Sequence, residues 1–191
     1  MFGPRDARHD ARERPLSRRR MLELSAGATI SGLLIPNIAE AAKADHRAIA
    51  FHNLHTGEKL SVVYWADGNY LPDALSGINK LMRDFRTGEL TTMDARLVDL
   101  LYLVRRAMRS REPFEIISGY RSPRTNAMLA RASSGVAKRS LHTLGMAADV
   151  RLPGRDLTEL RRIGHKLRLG GVGYYSKSNF VHLDVGRVRY W

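Results

Sequence analysis

Three residues of the sequence, His142, Asp149 and His182, have the chemical types of metal ligands. Neutral imidazole nitrogens and a carboxylate are the donors that open catalytic zinc sites use. With three protein ligands, a tetrahedral Zn²⁺ keeps its fourth position for water and lowers the pKa of that water to about 7. These residues therefore predict a metal-dependent hydrolase.

The spacing of the three residues indicates how the chain brings them together. His142 and Asp149 are too far apart for adjacent turns of one helix, but Gly145 between them allows the chain to turn from a loop into a strand. His182 lies in an apolar run typical of a second strand. Because directly opposed residues on paired strands have Cβ atoms about 5 Å apart, His182 can lie beside Asp149 if the two strands pair, and the three ligands can then converge.

The remaining elements follow from hydrophobic periodicity and turn residues. The first two strands form a predicted hairpin, and Asp94 is a predicted N-cap for a helix with an apolar stripe ending at Met108. Strands are predicted at 48–54, 59–65, 114–118, 146–152, 171–175 and 180–185, and the other helices at 71–85, 124–132 and 157–169. This order predicts an α+β domain with a small, mostly antiparallel sheet and flanking helices.

Composition limits the kind of protein. The chain has 191 residues, of which 43% are hydrophobic, which is enough for one compact domain. The absence of cysteine excludes a disulfide framework, a thiolate zinc site and a cysteine nucleophile. Any metal must therefore be held by histidine and carboxylate.

The chain is strongly basic, with a formal net charge of +13. Basic residues exceed acidic residues along the whole chain, so the charge belongs mainly to the folded domain. This excess predicts an anionic partner, which is a nucleic acid, a lipid surface or an acidic polymer.

The first 44 residues have the features of a twin-arginine export signal. An arginine run at 18–20 precedes an apolar stretch at 24–35, and Pro36 and small residues at 39–44 follow. The apolar stretch is too short for a membrane-spanning helix of about 20 residues. We therefore predict an export signal at 1–44, recognised by the twin-arginine machinery, and a periplasmic or cell-envelope domain at 45–191 without a transmembrane span. The alternatives are a basic arm and an uncleaved anchor.

Three motifs carry a resemblance to a known family. Residues 140–149 agree with Ser-x-His-x-x-Gly-x-Ala-x-Asp, residues 118–122 read Ser-Gly-Tyr-Arg-Ser, and residues 180–182 read Phe-Val-His. The chain resembles the zinc D-Ala-D-Ala metallopeptidase family, in particular its YcbK-like murein endopeptidase branch, over about residues 48–191. That family shares its fold with the lysostaphin-type peptidases and the hedgehog signalling domain.

The resemblance implies roles for individual residues. Zn²⁺ would be bound by His142, Asp149 and His182. Arg121, in the Gly-Tyr-Arg motif, would contact a substrate carbonyl or carboxylate and stabilise the oxyanion, because a guanidinium stays charged and presents a planar set of donors. Ser140 is predicted either to bind substrate or to cap the turn, and Tyr120 to line the substrate groove.

The general base is where the sequence departs from the carboxypeptidases of this family. Those enzymes have a Glu three residues before the last His, or a His two residues before it, and this chain has Asn179 and Phe180 there. Asp184 projects from the same strand face as that His. We predict a role for Asp184 at the site, as base, as a group that orients the histidine, or as a ligand. The alternative is a salt bridge to Arg187 or Arg189.

Charge, export and zinc together predict the substrate. The resemblance implies hydrolysis of peptide cross-links in peptidoglycan, whose stem peptides carry free carboxylates, by zinc-bound water attacking an amide carbonyl. The alternatives are a D,D- or L,D-carboxypeptidase and a non-catalytic domain that binds zinc and murein. Nucleic-acid binding is not expected, because the chain has an export signal and no nucleic-acid motif.

Overall fold

The computed structural model describes residues 46–133, 136–137 and 139–191. The predicted export signal at 1–44 lies outside the described residues. Among those described, no helix has both the length and the apolar character needed to cross a membrane.

The described chain contains eight strands, four α-helices and one 3₁₀ helix. The strands are β1 (His46–Asn53), β2 (Lys59–Ala66), β3 (Asn69–Tyr70), β4 (Phe114–Ser118), β5 (Ala147–Arg151), β6 (Gly171–Tyr175), β7 (Phe180–Asp184) and β8 (Arg189–Tyr190). The α-helices are α1 (Pro72–Leu81), α2 (Ala95–Ala107), α3 (Pro123–Ala132) and α4 (Leu157–Leu167), and a 3₁₀ helix spans Leu141–Leu144. Each of the predicted strands and helices is present, with ends shifted by a few residues.

The strands form one sheet of eight in the order β3-β2-β1-β4-β5-β7-β6-β8. Neighbouring strands are antiparallel except for β1 beside β4 and β6 beside β8, which are parallel. This confirms the predicted α+β class, the mostly antiparallel sheet and the hairpin of β1 and β2. Two-residue strands β3 and β8, too short for a sequence signal, extend the sheet beyond the predicted six strands.

The helices cover one hydrophobic core. Helix α1 packs on β2, α2 on β1, and α4 on β6, β7 and α2. The predicted cap of α2 is confirmed, since the Asp94 carboxylate accepts a hydrogen bond from the backbone N–H of Arg96. The apolar stripe of α2 is buried in this core, at Leu97, Leu100, Leu101 and Val104.

The first predicted helix ends earlier than the sequence pattern suggested. The prediction of 71–85 was wrong at its C-terminal end, because the helix stops at Leu81. The next residues hold the segment after β4: the Met82 carbonyl accepts from Tyr120 N at 2.7 Å, and an Asp84 carboxylate oxygen accepts from Ser122 N at 2.9 Å. The Met82 carbonyl is thereby engaged in a tertiary hydrogen bond instead of a helical one.

The two faces of the central strands have different roles. Ala148 and Val150 of β5 and Val181 and Leu183 of β7 point into the core with the helices. Because side chains alternate along a strand, Asp149 and His182 lie on the opposite face. Strands β5 and β7 therefore present polar groups on a sheet face whose reverse side is fixed by core packing.

Candidate metal centre

His142 is held by the short 3₁₀ helix and the turns at its two ends. The Ser140 hydroxyl caps the helix and accepts a hydrogen bond from the backbone N–H of His142 at 3.3 Å. Gly145 ends it with φ +67°, and a Cβ there would lie 2.5 Å from the Thr92 carbonyl oxygen. Glycine meets both requirements, because it adopts positive φ without strain and has no side chain. The turn thereby carries the chain from His142 into β5, as predicted.

Asp149 and His182 face each other on paired antiparallel strands. The register of β5 and β7 places Asp149 directly opposite His182, so the strand pairing on which the predicted convergence depended is present. Both side chains are buried, with 3% and 7% of their residue surface exposed, and His142 is 1% exposed. The local signal of the turn and the long-range pairing of strands together bring three polar residues to one buried point.

Three ligand atoms converge at this point. Asp149 Oδ1 lies 3.1 Å from His142 Nε2 and 2.9 Å from His182 Nδ1, and the two imidazole nitrogens are 3.1 Å apart. One donor atom from each of the three residues lies within 4.8 Å of the other two. This group could hold a metal ion.

Hydrogen bonds on the outer side of each ring indicate where the ring protons are. His142 Nδ1 lies 2.7 Å from the Gly119 carbonyl oxygen, and His182 Nε2 lies 2.9 Å from Asp184 Oδ2. A carbonyl oxygen only accepts, so His142 carries a proton on Nδ1. His182 faces a carboxylate oxygen at each nitrogen, Asp184 at Nε2 and Asp149 at Nδ1, and binding of a metal ion at Nδ1 requires the ring proton on Nε2. With the protons on the outer nitrogens, the lone pairs of both inner nitrogens face one another and the Asp149 carboxylate.

A buried set of converging lone pairs is compatible with a bound cation. Burial lowers the pKa of His142, which favours its neutral, ligating form. Burial alone would raise the pKa of Asp149, but its contacts with His142 and His182 lower it below the usual range. Burial opposes protonation of His182, yet contacts with Asp149 and Asp184 raise its pKa overall. The negative charges around His182 thus attract a positive charge, whether proton or metal.

Asp184 lies behind His182, on the side of the ring away from the three ligand atoms. It is fully buried, and its carboxylate accepts from the Arg189 guanidinium at 2.7 and 3.0 Å and from the backbone N–H groups of Gly171 and Gly186. Burial alone would raise the pKa of Asp184, but hydrogen bonds from His182 and Arg189 hold it below the usual range. Both the predicted contact with His182 and the alternative salt bridge to Arg189 are present, and the two occur together.

Arg121 lies at the edge of the three-residue cluster. Its Nε donates to Ser118 Oγ at 2.8 Å, and its Nη2 donates to Asp149 Oδ2 and lies 3.3 Å from His142 Nε2. The side chain is 14% exposed. Arg121 is therefore fixed between the sheet and the cluster, with part of its guanidinium open to the cleft.

The cluster opens into a cleft of about 330 Å³. Arg121 and Ser140, both predicted to contact substrate, line the cleft, and Ser140 also caps the turn as its alternative prediction stated. Tyr120 does not line it and packs instead against the hydrophobic core. Aromatic residues line another part of the cleft, namely Phe180 of the Phe-Val-His motif together with Tyr175 and Trp191.

Comparison with known proteins identifies the family. The family model Peptidase_M15_2, described as peptidoglycan L,D-endopeptidase MepK, matches residues 41–191. The chain belongs to the MepK family. This confirms the resemblance to the murein endopeptidase branch, and the matched residues include every residue of the candidate metal centre and of the cleft described above.

Two relatives illustrate the similarity. The peptidoglycan L,D-endopeptidase MepK of Escherichia coli (strain K12) is 38% identical over 176 residues, which cover 92% of this chain and 97% of that protein. A probable peptidoglycan L,D-endopeptidase MepK of Haemophilus influenzae is 40% identical over 172 residues, covering 88% of this chain and 92% of the relative. The similarity therefore extends over nearly the full length of both relatives.

Proposed function

We propose that this chain is an exported, zinc-dependent endopeptidase that hydrolyses peptide cross-links of peptidoglycan at an L,D bond. The observation that carries the proposal is the convergence of His142 Nε2, Asp149 Oδ1 and His182 Nδ1 at the base of an open cleft. The names of the relatives support the substrate and the type of bond.

The donor set is the reason for proposing zinc. Two neutral imidazole nitrogens and one carboxylate are typical of catalytic zinc sites, and the absence of cysteine leaves no thiolate ligand in the chain. When bound, zinc supplies a Lewis acid and a coordinated water of lowered pKa. The backbone carbonyl of Gly119 and the carboxylate of Asp184 orient the two imidazoles for such an ion, through the outer ring nitrogens.

Arg121 is the residue that we propose to bind the substrate carbonyl. Its Nε bond to Ser118 and its ion pair with Asp149 hold the guanidinium plane beside the proposed ligands. A fixed cation at this position stabilises negative charge that develops on the carbonyl oxygen, and it needs no reorganisation during the reaction. Arg121 would thus act as an oxyanion-binding residue.

For Asp184 we propose orientation of His182, the second of the three predicted roles. Its Oδ2 is bonded to the outer nitrogen of His182, and the ring lies between that oxygen and the cluster. The other bonds of the carboxylate, to Arg189, Gly171 and Gly186, hold it in place. A carboxylate used in this way fixes the tautomer and the direction of the metal-facing nitrogen.

Mass spectrometry of muropeptides tests the proposed activity. Cross-linked muropeptide dimers incubated with the zinc-loaded protein should give monomers with the gain of one water per bond, and the fragments identify the bond. A chelator should abolish the cleavage and added zinc should restore it, while His142→Ala should be inactive under all conditions. Release of a single terminal amino acid from uncross-linked stems would instead indicate a carboxypeptidase, and binding without any cleavage a murein-binding domain.

Export by the twin-arginine route is part of the proposal, and its support is the order of arginine run, apolar stretch and small residues in 1–44. A reporter fused after residue 44 should reach the periplasm only in cells with a functional twin-arginine translocase. Lysine at both Arg18 and Arg19 should block its export. Export that persists without this translocase would contradict the assignment.

A further inference from the structure

An aromatic surface beside the proposed zinc site has no role in the chemistry described so far. It consists of Tyr175, Phe180 and Trp191, which we call the aromatic wall, and all three line the cleft. Tyr175 and Phe180 are opposed on β6 and β7, and their rings stack with centroids 4.6 Å apart. The Trp191 indole N–H donates to the Tyr175 hydroxyl at 2.8 Å, which joins the three side chains into one row.

Trp191 connects this row to the proposed metal ligands. Its ring centroid lies 5.2 Å from that of His182, and the Arg189 guanidinium lies 4.9 Å from the indole ring on its way to Asp184. Trp191 as a whole residue is nevertheless 47% exposed. A large aromatic side chain that borders the reaction centre and stays open to the cleft is available to a ligand.

The position of the indole is fixed before any ligand binds. The backbone of Trp191 pairs with β6 in both directions, through its N–H to Val172 O and its carbonyl to Tyr174 N. Gly173, opposite His182 in the register, leaves room for the indole, because a Cβ there would lie 2.5 to 2.7 Å from three of its ring atoms. A ligand therefore meets a preorganised surface and does not have to order it.

The rest of the cleft has a different chemical character. Of its three arginines, Arg121 and Arg189 are each paired with a buried carboxylate, Asp149 and Asp184. Arg139 lines the same cleft and makes no ion pair with any residue that the structure describes. The cleft thus combines a planar apolar surface with an available positive charge, which suits a peptide that has both aliphatic side chains and free carboxylates.

We propose that the aromatic wall is a substrate subsite that packs against the aliphatic side chain of the stem-peptide residue next to the scissile bond. This inference rests on the proposed function, since it takes the peptide of peptidoglycan as the ligand. Trp191 is the central contact, because it lies between Tyr175 and the proposed ligand His182. The subsite contributes binding energy and leaves the zinc site intact.

Kinetics of Trp191→Ala on cross-linked muropeptide dimers tests the subsite. We expect KM to rise about tenfold, the equivalent of roughly two methylene groups no longer buried, while kcat stays within about threefold. Zinc content should be unchanged, and Trp191→Phe should give a smaller rise in KM because the phenyl ring keeps part of the surface. An unchanged KM would overturn the proposal, and so would a loss of activity that only follows a loss of zinc.

The chain's second tryptophan offers a matched control. Trp65 lies on β2, in a separate cavity where the Arg47 guanidinium covers its ring. Trp65→Phe should leave KM unchanged, and it makes Trp191 the single tryptophan of the full-length protein. An equal rise in KM in this variant would overturn the assignment of the subsite to Trp191.

Fluorescence gives a readout that does not depend on turnover. Addition of the uncross-linked product muropeptide should change the tryptophan emission of Trp65→Phe and leave that of Trp191→Phe unchanged. The same change produced by the disaccharide without its peptide would overturn the proposal, because the wall would then bind sugar. If the wild type cleaves no muropeptide, the proposed function fails, and this titration still decides whether the wall binds stem peptide. It also decides the question if Trp191→Ala does not fold.

Discussion

Replacement of Asp184 by asparagine tests the orienting role most directly. In the native protein the carboxylate accepts five hydrogen bonds: three reach Oδ1, from Gly171 N, Gly186 N and Arg189 Nη1, and two reach Oδ2, from His182 Nε2 and Arg189 Nη2. An amide has one accepting oxygen and one donating nitrogen. Whichever way the amide is turned, its nitrogen therefore faces hydrogen-bond donors, either those on the Oδ1 side or those on the Oδ2 side.

The arrangement with fewer conflicts points the amide nitrogen toward His182. With the amide oxygen on the Oδ1 side, three hydrogen bonds are kept, and the NH₂ group meets His182 Nε2. That nitrogen can accept only if the ring proton moves to Nδ1, which is the nitrogen that faces Asp149. A proton on Nδ1 competes directly with a metal ion for the same lone pair.

We therefore expect Asp184→Asn to weaken zinc binding by about 10- to 100-fold, or roughly 1.4 to 2.7 kcal/mol, the range found for groups that orient metal ligands. Competition with a chromophoric zinc chelator measures the affinity, and circular dichroism verifies the fold. Asp73→Asn is the control, because Asp73 is exposed in the first turn of α1 and its change removes the same charge. Activity at saturating zinc should largely recover.

Two results would refute this reasoning. Zinc affinity equal to the wild type together with a large loss of kcat would show that Asp184 is the general base. Zinc affinity and kcat both unchanged would show that the hydrogen bond to His182 has no functional consequence.

Three further predictions concern residues around the centre. Arg121→Lys should retain zinc but lower kcat about 100-fold, since an ammonium group cannot bond Ser118 and Asp149 and still reach the oxyanion. Gly145→Ala should lower the free energy of unfolding in urea by about 1 to 3 kcal/mol, because its φ of +67° is strained for alanine. Burial alone would raise the pKa of Asp84, but hydrogen bonds from Thr125 and Ser122 lower it overall, so its contribution to stability is present above about pH 4 and is lost as pH falls through the lowered value.

Each of these has its own contradicting result. A kcat near the wild-type value in Arg121→Lys would show that catalysis does not require the planar guanidinium group. A free energy of unfolding equal to that of the wild type in Gly145→Ala would show that the turn accommodates a Cβ at this position without strain. For Asp84, the free energy of unfolding between pH 5 and 2 should depend less on pH in Asp84→Asn than in the wild type, and equal slopes would contradict the assignment.

Local patterns in the sequence were sufficient for most of the fold. Period-two strands, apolar helix faces and the Asp94 cap predicted the elements and the α+β class, because these signals arise from neighbours along the chain. The predicted C-terminal end of α1 was wrong, because residues after Leu81 form hydrogen bonds with the segment around Tyr120. The pattern of neighbouring residues contains no information about a hydrogen-bond partner that is distant along the chain.

The candidate ligands were also accessible from the sequence, and for a physical reason. Donor types restrict which residues hold a metal, Gly145 signals the turn after His142, and apolar residues on both sides of Asp149 and His182 place them on central strands. The convergence of the ligands depended on the pairing of those two strands, which the sequence left as a condition and the register of β5 and β7 supplied.

By itself, the sequence determined the donor types, the elements that carry them and the side of each strand on which they lie. Only the tertiary structure decided what surrounds them: the five hydrogen bonds on Asp184, the oxygens of Gly119 and Asp184 at the outer ring nitrogens, and the aromatic wall that ends at Trp191. These depend on side chains from separate segments, and their distances and directions exist only after the sheet has assembled. Chemistry that depends on residue type can therefore be predicted from the sequence, whereas the orientation of the side chains and their access to the cleft depend on the fold.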